Sequence, residues 1–131
     1  MADDQLHVEL VAADRTVWSG EAIMVIARTT EGDVGVLRNH APLLSLLVDG
    51  VVDIQTADGE TLIAAVDAGF LSVANNRVSI LSEHAELSHE IDVERARLEL
   101  EQAEAADDED GALGVVVRRA EARIRAVEKA S

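Results

Sequence analysis

The sequence predicts an α+β fold with its two classes segregated: an N-terminal antiparallel β-domain over residues 1–87 and a C-terminal antiparallel helical hairpin over residues 88–131. Three observations predict it. Apolar residues come in short runs or alternate before Ser88, as strands require, and recur every three to four residues after it, as helices require. Turn signals punctuate the first part at short intervals. In the second part an acidic, glycine-containing stretch, Asp107-Asp108-Glu109-Asp110-Gly111, separates two amphipathic segments. At 131 residues this is one domain, or one domain plus an appendage, long enough to need no covalent staples.

Leu6, Val8 and Leu10 alternate with His7, Glu9 and Val11, the pattern of a half-buried strand. Ile23 to Thr30 is rich in β-branched and apolar residues. Leu43 to Val48 and Val51 to Gln55 flank a turn signal at Asp49-Gly50. Val51 to Thr56 and Thr61 to Val66 flank Ala57-Asp58-Gly59-Glu60, a hairpin signal. Phe70 to Val73 and Val78 to Leu81 flank Asn75-Asn76, and asparagine tolerates the positive φ of tight turns. Many short strands with regular turns suggest a sandwich or a barrel. The stretch Gly32 to Leu47 reads as a glycine-bent connection, with Pro42 fixing entry to the next strand, or as an exposed contact loop. It lacks the ending of a phosphate-binding loop.

The first helix begins at IDVERA, where Asp92 is an N-cap and Ile91 and Ala96 occupy the hydrophobic-staple positions. Val93, Ala96, Leu100 and Ala103 form its apolar stripe, and Arg95–Glu99 and Arg97–Glu101 are spaced to pair. The second helix has a stripe of Leu113, Val116, Val117, Ala120, Ile124 and Val127. Arg118, Arg119, Arg123, Arg125 and Lys129 line its polar side. Both stripes are narrow and low in bulk, so the hairpin needs the β-domain, a ligand or a partner to stay folded.

The net charge of −15 argues against a general nucleic-acid binder. It is unevenly placed: residues 1–88 carry −10, and residues 118–131 carry +3. A basic helix on an acidic protein needs an anionic partner: its own body, another subunit or a nucleotide. With no cysteine there is no disulfide framework or cysteine chemistry. No signal peptide is visible and no apolar run approaches the roughly 20 residues of a membrane span, which reads as a cytoplasmic, soluble chain. The four histidines (His7, His40, His84, His89) have no metal-ligand spacing, so no metal is expected. Ser19, Ser45 and Ser72 lack nucleophile context, so no catalytic residue is assigned. Arg119 and Arg123, one turn apart, read either as a solvated basic face or as an anion site shared with Arg95.

Several stretches, in this order, resemble the epsilon subunit family of bacterial F-type ATP synthases, the counterpart of the mitochondrial delta subunit. GDVGVLRNHAPLL resembles the family's glycine-bearing first loop, and VDAGFLSVANNRVSILSEHAE its Gly-Gly-Phe strand pair. IDVERA resembles its Ile/Leu-Asp-x-x-Arg-Ala motif, and RRAEAR its second-helix arginines. Arg38 stands where proline is usual, and Ala68 replaces the first glycine of Gly-Gly.

The resemblance implies a β-sandwich, with a non-catalytic place in the central stalk that couples rotation to ATP synthesis. It implies a gamma-subunit partner, a c-ring contact through Asp33 and His40, and a peripheral location on the cytoplasmic face of the bacterial plasma membrane. It further implies a hairpin that lies folded or extends toward the alpha and beta catalytic subunits, the extended form inhibiting hydrolysis. No cofactor is required. A regulatory Mg-ATP, where present, would be held by Glu86, Ile91, Asp92, Arg95, Ala96, Arg119 and Arg123. Two other function classes stay open on the residues alone: a stand-alone β-domain sensing nucleotide through its hairpin, and, more weakly, an enzyme.

Overall fold

The computed structural model describes residues 5–106, 111 and 113–131. The predicted acidic turn at 107–110 lies outside the described residues. Among the described residues, nine strands precede two helices: β1 (Leu6–Ala12), β2 (Thr16–Thr29), β3 (Gly32–Leu37), β4 (Leu43–Leu47), β5 (Gly50–Thr56), β6 (Thr61–Val66), β7 (Gly69–Ala74), β8 (Arg77–Ser82), β9 (Ala85–Leu87), α1 (Val93–Ala105) and α2 (Leu113–Ala130). A 3-10 turn, Ser88–Glu90, links β9 to α1.

The strands form a sandwich whose two sheets share β2. Its first half pairs with β1, which continues into β8, β7 and β4. Its second half pairs with β3 on one side and with β5 on the other, which continues into β6 and β9. The register shift between Ala22 and Met24 lets one long strand turn from one sheet to the next, as bulges do. Every pairing is antiparallel except β1–β8. Inward-facing Leu6, Val8, Leu10, Val25, Val36, Val52, Ile54, Leu71, Val73, Val78 and Ile80 build an aliphatic core. The alternation in β1 predicts which of its residues face that core.

Both predicted hairpins form. Gln55 faces Thr61 across the β5–β6 turn, and Asn75 and Asn76 adopt φ of 51° and 61° between β7 and β8. Asp49-Gly50 is a turn of another kind. The strands it joins do not pair: β4 pairs with β7, and β5 with β2 and β6, so the chain crosses between sheets there. The first six residues of the expected connection Gly32 to Leu47 are strand β3: Val34 and Val36 turn inward, and neither Gly32 nor Gly35 interrupts pairing with β2. β2 also begins at Thr16, well before the expected Ile23, because Trp18 and Val17 pack on the core.

Gly69 is required by close approach. A Cβ there would lie 1.8 Å from the Leu81 carbonyl oxygen. The preceding Ala68 is exposed, with its N–H donated to Asp49 Oδ1 at 2.9 Å, so its methyl group is accommodated.

Asp92 caps α1 as its sequence predicts, Oδ1 accepting from Arg95 N at 3.1 Å. Arg95 pairs with Glu99. Arg97 pairs backward with Glu94 at 3.3 Å, rather than forward with the expected Glu101. The buried residues of α1, Ala96 and Ala103, lie on the predicted stripe. α2 has a second buried face that the stripe does not contain. Ala126 packs with Ile63, Ala65, Val51 and Ile91, and Ala122 is equally buried. That face lies across β5 and β6, while α1 packs on α2. The hairpin is therefore docked on the sandwich through α2. Among the described residues, no helix is long and apolar enough to cross a membrane.

Candidate functional site

Where α2 crosses the second sheet, its cations meet carboxylates presented by strand ends and turns. Arg118 Nε and Arg119 Nε reach the two oxygens of Asp49 at 3.5 and 3.4 Å. Arg119 also lies 3.6 Å from Asp67 and donates to Glu83 at 3.1 Å. Arg123 donates through Nε to Glu86 at 2.8 Å and through Nη1 to the Arg119 carbonyl at 2.9 Å, and its Nη2 lies 3.5 Å from Asp67. Lys129 Nζ stands 2.5 Å from Asp53 Oδ2. Arginines at i and i+4 share a helix face, and the apolar residue of that face, Ala126, is small enough to let α2 approach the sheet.

The electrostatics of this ladder centre on Asp67. Its carboxylate is only 5% exposed, and burial pushes its pKa up; Arg123 and Arg119 pull it back without cancelling the shift. Partial burial also opposes charge on Arg119, but Asp67, Asp49 and Glu83 outweigh it and hold the guanidinium more firmly protonated. The cost of drying the pair thus falls mainly on the acid, which needs α2 in place. Ser82 holds the strand end below it: its Oγ accepts from Asp67 N and stands 2.7 Å from both the Asp67 and His84 carbonyl oxygens, either of which can accept its one hydrogen.

Between α1, α2 and the sandwich lies a cavity of about 460 Å³. Of the seven residues that the resemblance implies for a nucleotide, Glu86, Asp92, Arg95, Ala96, Arg119 and Arg123 line it. Ile91 packs instead against the cluster around Ala126. The three arginines do not converge on an empty centre: Arg95 is 77% exposed and paired with Glu99, while Arg119 and Arg123 face Asp67, Glu83 and Glu86. The lining carries Asp67, Glu86, Glu90, Asp92 and Glu99 against these three arginines and His84. There is room for a nucleotide, but its cations already hold carboxylates.

The proposed contact residues Asp33 and His40 are not brought together. Asp33 is the second residue of β3, exposed and 3.9 Å from Arg28, whereas His40 lies beyond the other end of that strand, its Nδ1 donating to the Ala41 carbonyl. Among the described residues no group of three His, Asp or Glu could hold a metal ion.

A surface that the sequence reading missed lies on the first sheet. Leu46 faces Phe70, and Phe70 faces Leu81, across β4, β7 and β8. All three, with nearby Leu44, are exposed by about half or more.

Residues 5–88 match the family model described as ATP synthase, Delta/Epsilon chain, beta-sandwich domain. The chain is 57% identical over 123 residues to the ATP synthase epsilon chain of Streptomyces avermitilis, covering 94% of this chain and 95% of that one. The chain belongs to the ATP synthase epsilon-chain family. It is a non-catalytic subunit of that complex. The epsilon chain of Rhodococcus jostii is 52% identical over 127 residues, covering 96% of this chain and 98% of its own. In fold, the chain matches one from the cryo-EM structure of the Euglena gracilis mitochondrial ATP synthase, OSCP/F1/c-ring, with a TM-score of 0.73 at 24% identity, covering 95% of this chain and 78% of that one.

Proposed function

We propose that this epsilon-family subunit is a rotor part of the central stalk, that its sandwich docks on the gamma subunit, and that its hairpin restrains ATP hydrolysis by leaving the sandwich. The observation that carries the docking is the row Leu46–Phe70–Leu81. A contiguous apolar row on a strongly acidic surface marks a protein contact, and gamma is the partner proposed for it. The c ring, present in the assembly of the Euglena neighbour, is the second partner. A contact using both Asp33 and His40 runs along β3, the edge of the second sheet. The subunit is then peripheral, on the cytoplasmic face of the membrane.

The hairpin has two states in this reading. In the docked state the basic helix uses its own sandwich as the anionic partner, and needs no nucleotide to do so. In the extended state the freed arginines pair with acidic surface on the alpha and beta subunits. Regulation by Mg-ATP at the cavity requires Arg123 and Arg119 to exchange Glu86 and Asp67 for phosphate oxygens, and a ligand shifts the equilibrium only by its differential affinity.

The docking is tested by Leu46→Glu/Phe70→Glu. Two carboxylates in that row are expected to abolish co-purification of gamma with the full-length subunit while leaving its far-ultraviolet circular dichroism unchanged. Retention of gamma by the folded double variant would overturn the assignment.

A further inference from the structure

The segment that must move if the hairpin leaves the sandwich is the 3-10 turn Ser88–Glu90. It is held by a residue far from it in sequence. Arg15, in the turn between β1 and β2, donates through Nη1 to Glu90 Oε2 at 3.0 Å and through Nη2 to Glu90 Oε1 at 2.9 Å. The same Nη2 donates to the Ala85 carbonyl at 3.3 Å. Glu90 Oε1 also accepts from Leu87 N at 2.9 Å. One guanidinium thus ties the β1–β2 turn, strand β9 and the linker into a single knot.

The knot stands where the hairpin's path is decided. Asp92, the cap of α1, follows Glu90 by two residues, and α1 packs on α2 rather than on the sandwich. The direction in which α1 leaves the sandwich is therefore set by the linker and by α2. Any swing about Ser88 carries Glu90 away from Arg15, whereas the turn bearing Arg15 stays with the sandwich, Ala12 N donating to the Arg15 carbonyl at 2.8 Å. An exposed ion pair is commonly worth little. This one has the two-pronged geometry in which arginine and carboxylate pair best, with each side chain more than half covered. Glu90 also lines the cavity under α1, so the same pair fixes a carboxylate at the rim of the candidate site.

We propose that Arg15 is a hinge lock: its paired contacts with Glu90 hold the linker in the docked path and so bias the hairpin against extension. The lock rests on the two-state reading of the hairpin but is separable from its inhibitory role. It acts from the sandwich, outside both helices, and is lost when the linker swings away.

The test is hydrogen exchange on the full-length subunit, comparing wild type with Arg15→Ala, Glu90→Gln and the double variant. Exchange at amides of residues 88–105 is expected to rise roughly threefold to fivefold in Arg15→Ala, the upper range for an exposed pair, with the amides of β5 to β8 unchanged. The double variant is expected to exchange no faster than Arg15→Ala, because both changes remove one interaction. Unaltered exchange over 88–105 in Arg15→Ala overturns the lock, as does additive behaviour of the two changes. Faster linker exchange together with unchanged hydrolysis in the assembled complex retains the lock and overturns the inhibitory reading instead.

Discussion

Gly69→Ala is expected to lower the stability of the sandwich by about 3 kcal/mol or more, the upper range for overpacking a fixed site. The added Cβ would run into the backbone of the facing strand: the Leu81 oxygen at 1.8 Å, the Leu81 carbonyl carbon at 2.8 Å and the Ser82 Cα at 2.9 Å. No rotamer change relieves such a clash, so β7 and β8 must part at the Gly69–Ser82 pair. The damage spreads to the candidate site, because Ser82 anchors the Asp67 backbone. Gly35→Ala is the control, since nothing lies within 4 Å of a Cβ at that position. Urea unfolding monitored through Trp18 measures both. A loss below about 1 kcal/mol in Gly69→Ala would contradict the close-approach argument.

Arg123→Ala is expected to weaken docking of α2 by roughly 2 to 3 kcal/mol, the low end for breaking a buried pair. Arg123 remains 18% exposed, which moderates the loss, but Asp67 is almost fully buried and Glu86 loses its closest cation. The hairpin can respond by leaving the sandwich, which hydrates Asp67. The effect should therefore appear in α2 and not in the sandwich: amides of 116–128 should exchange roughly thirtyfold faster or more, following from that free energy, while β1 to β8 keep their protection. Arg125→Ala, at an exposed position on the same helix, should change little. Equal exchange in the two variants would show that the carboxylates around Asp67 do not hold α2.

The elements set by local chemistry were legible in the sequence. Alternation marks β1, Asn75-Asn76 marks its hairpin, and Asp92 marks the start of α1 to the residue. Elements decided by distant contacts were not. Gly32 and Gly35 read as bends, yet β3 is a strand because β2 lies beside it to pair. The three residues of β9 are too few for a periodic signal and exist by pairing with β6. The docking face of α2 was missed because Ala122 and Ala126 add little to a hydrophobic pattern. Their spacing, in step with Arg119 and Arg123, was the available clue. Arg119 and Arg123 read in the sequence as either a solvated basic face or an anion site shared with Arg95. Their partner is Asp49, Asp67, Glu83 and Glu86, some 36 to 70 residues away in sequence, and no local rule supplies such a pairing.

In the proposed mechanism the hairpin is a brake stored on the sandwich by carboxylates of the sandwich itself. ATP hydrolysis by the assembled complex tests it most directly, with Asp49→Asn/Glu86→Gln compared against wild type and against deletion of residues 89–131. The double substitution loosens the docked state but leaves every arginine of α2 intact for the extended one. Opposite effects are expected: slower hydrolysis in the substituted complex and faster hydrolysis in the truncated one. Hydrolysis that is unchanged by the deletion, or raised by the substitution, would contradict it.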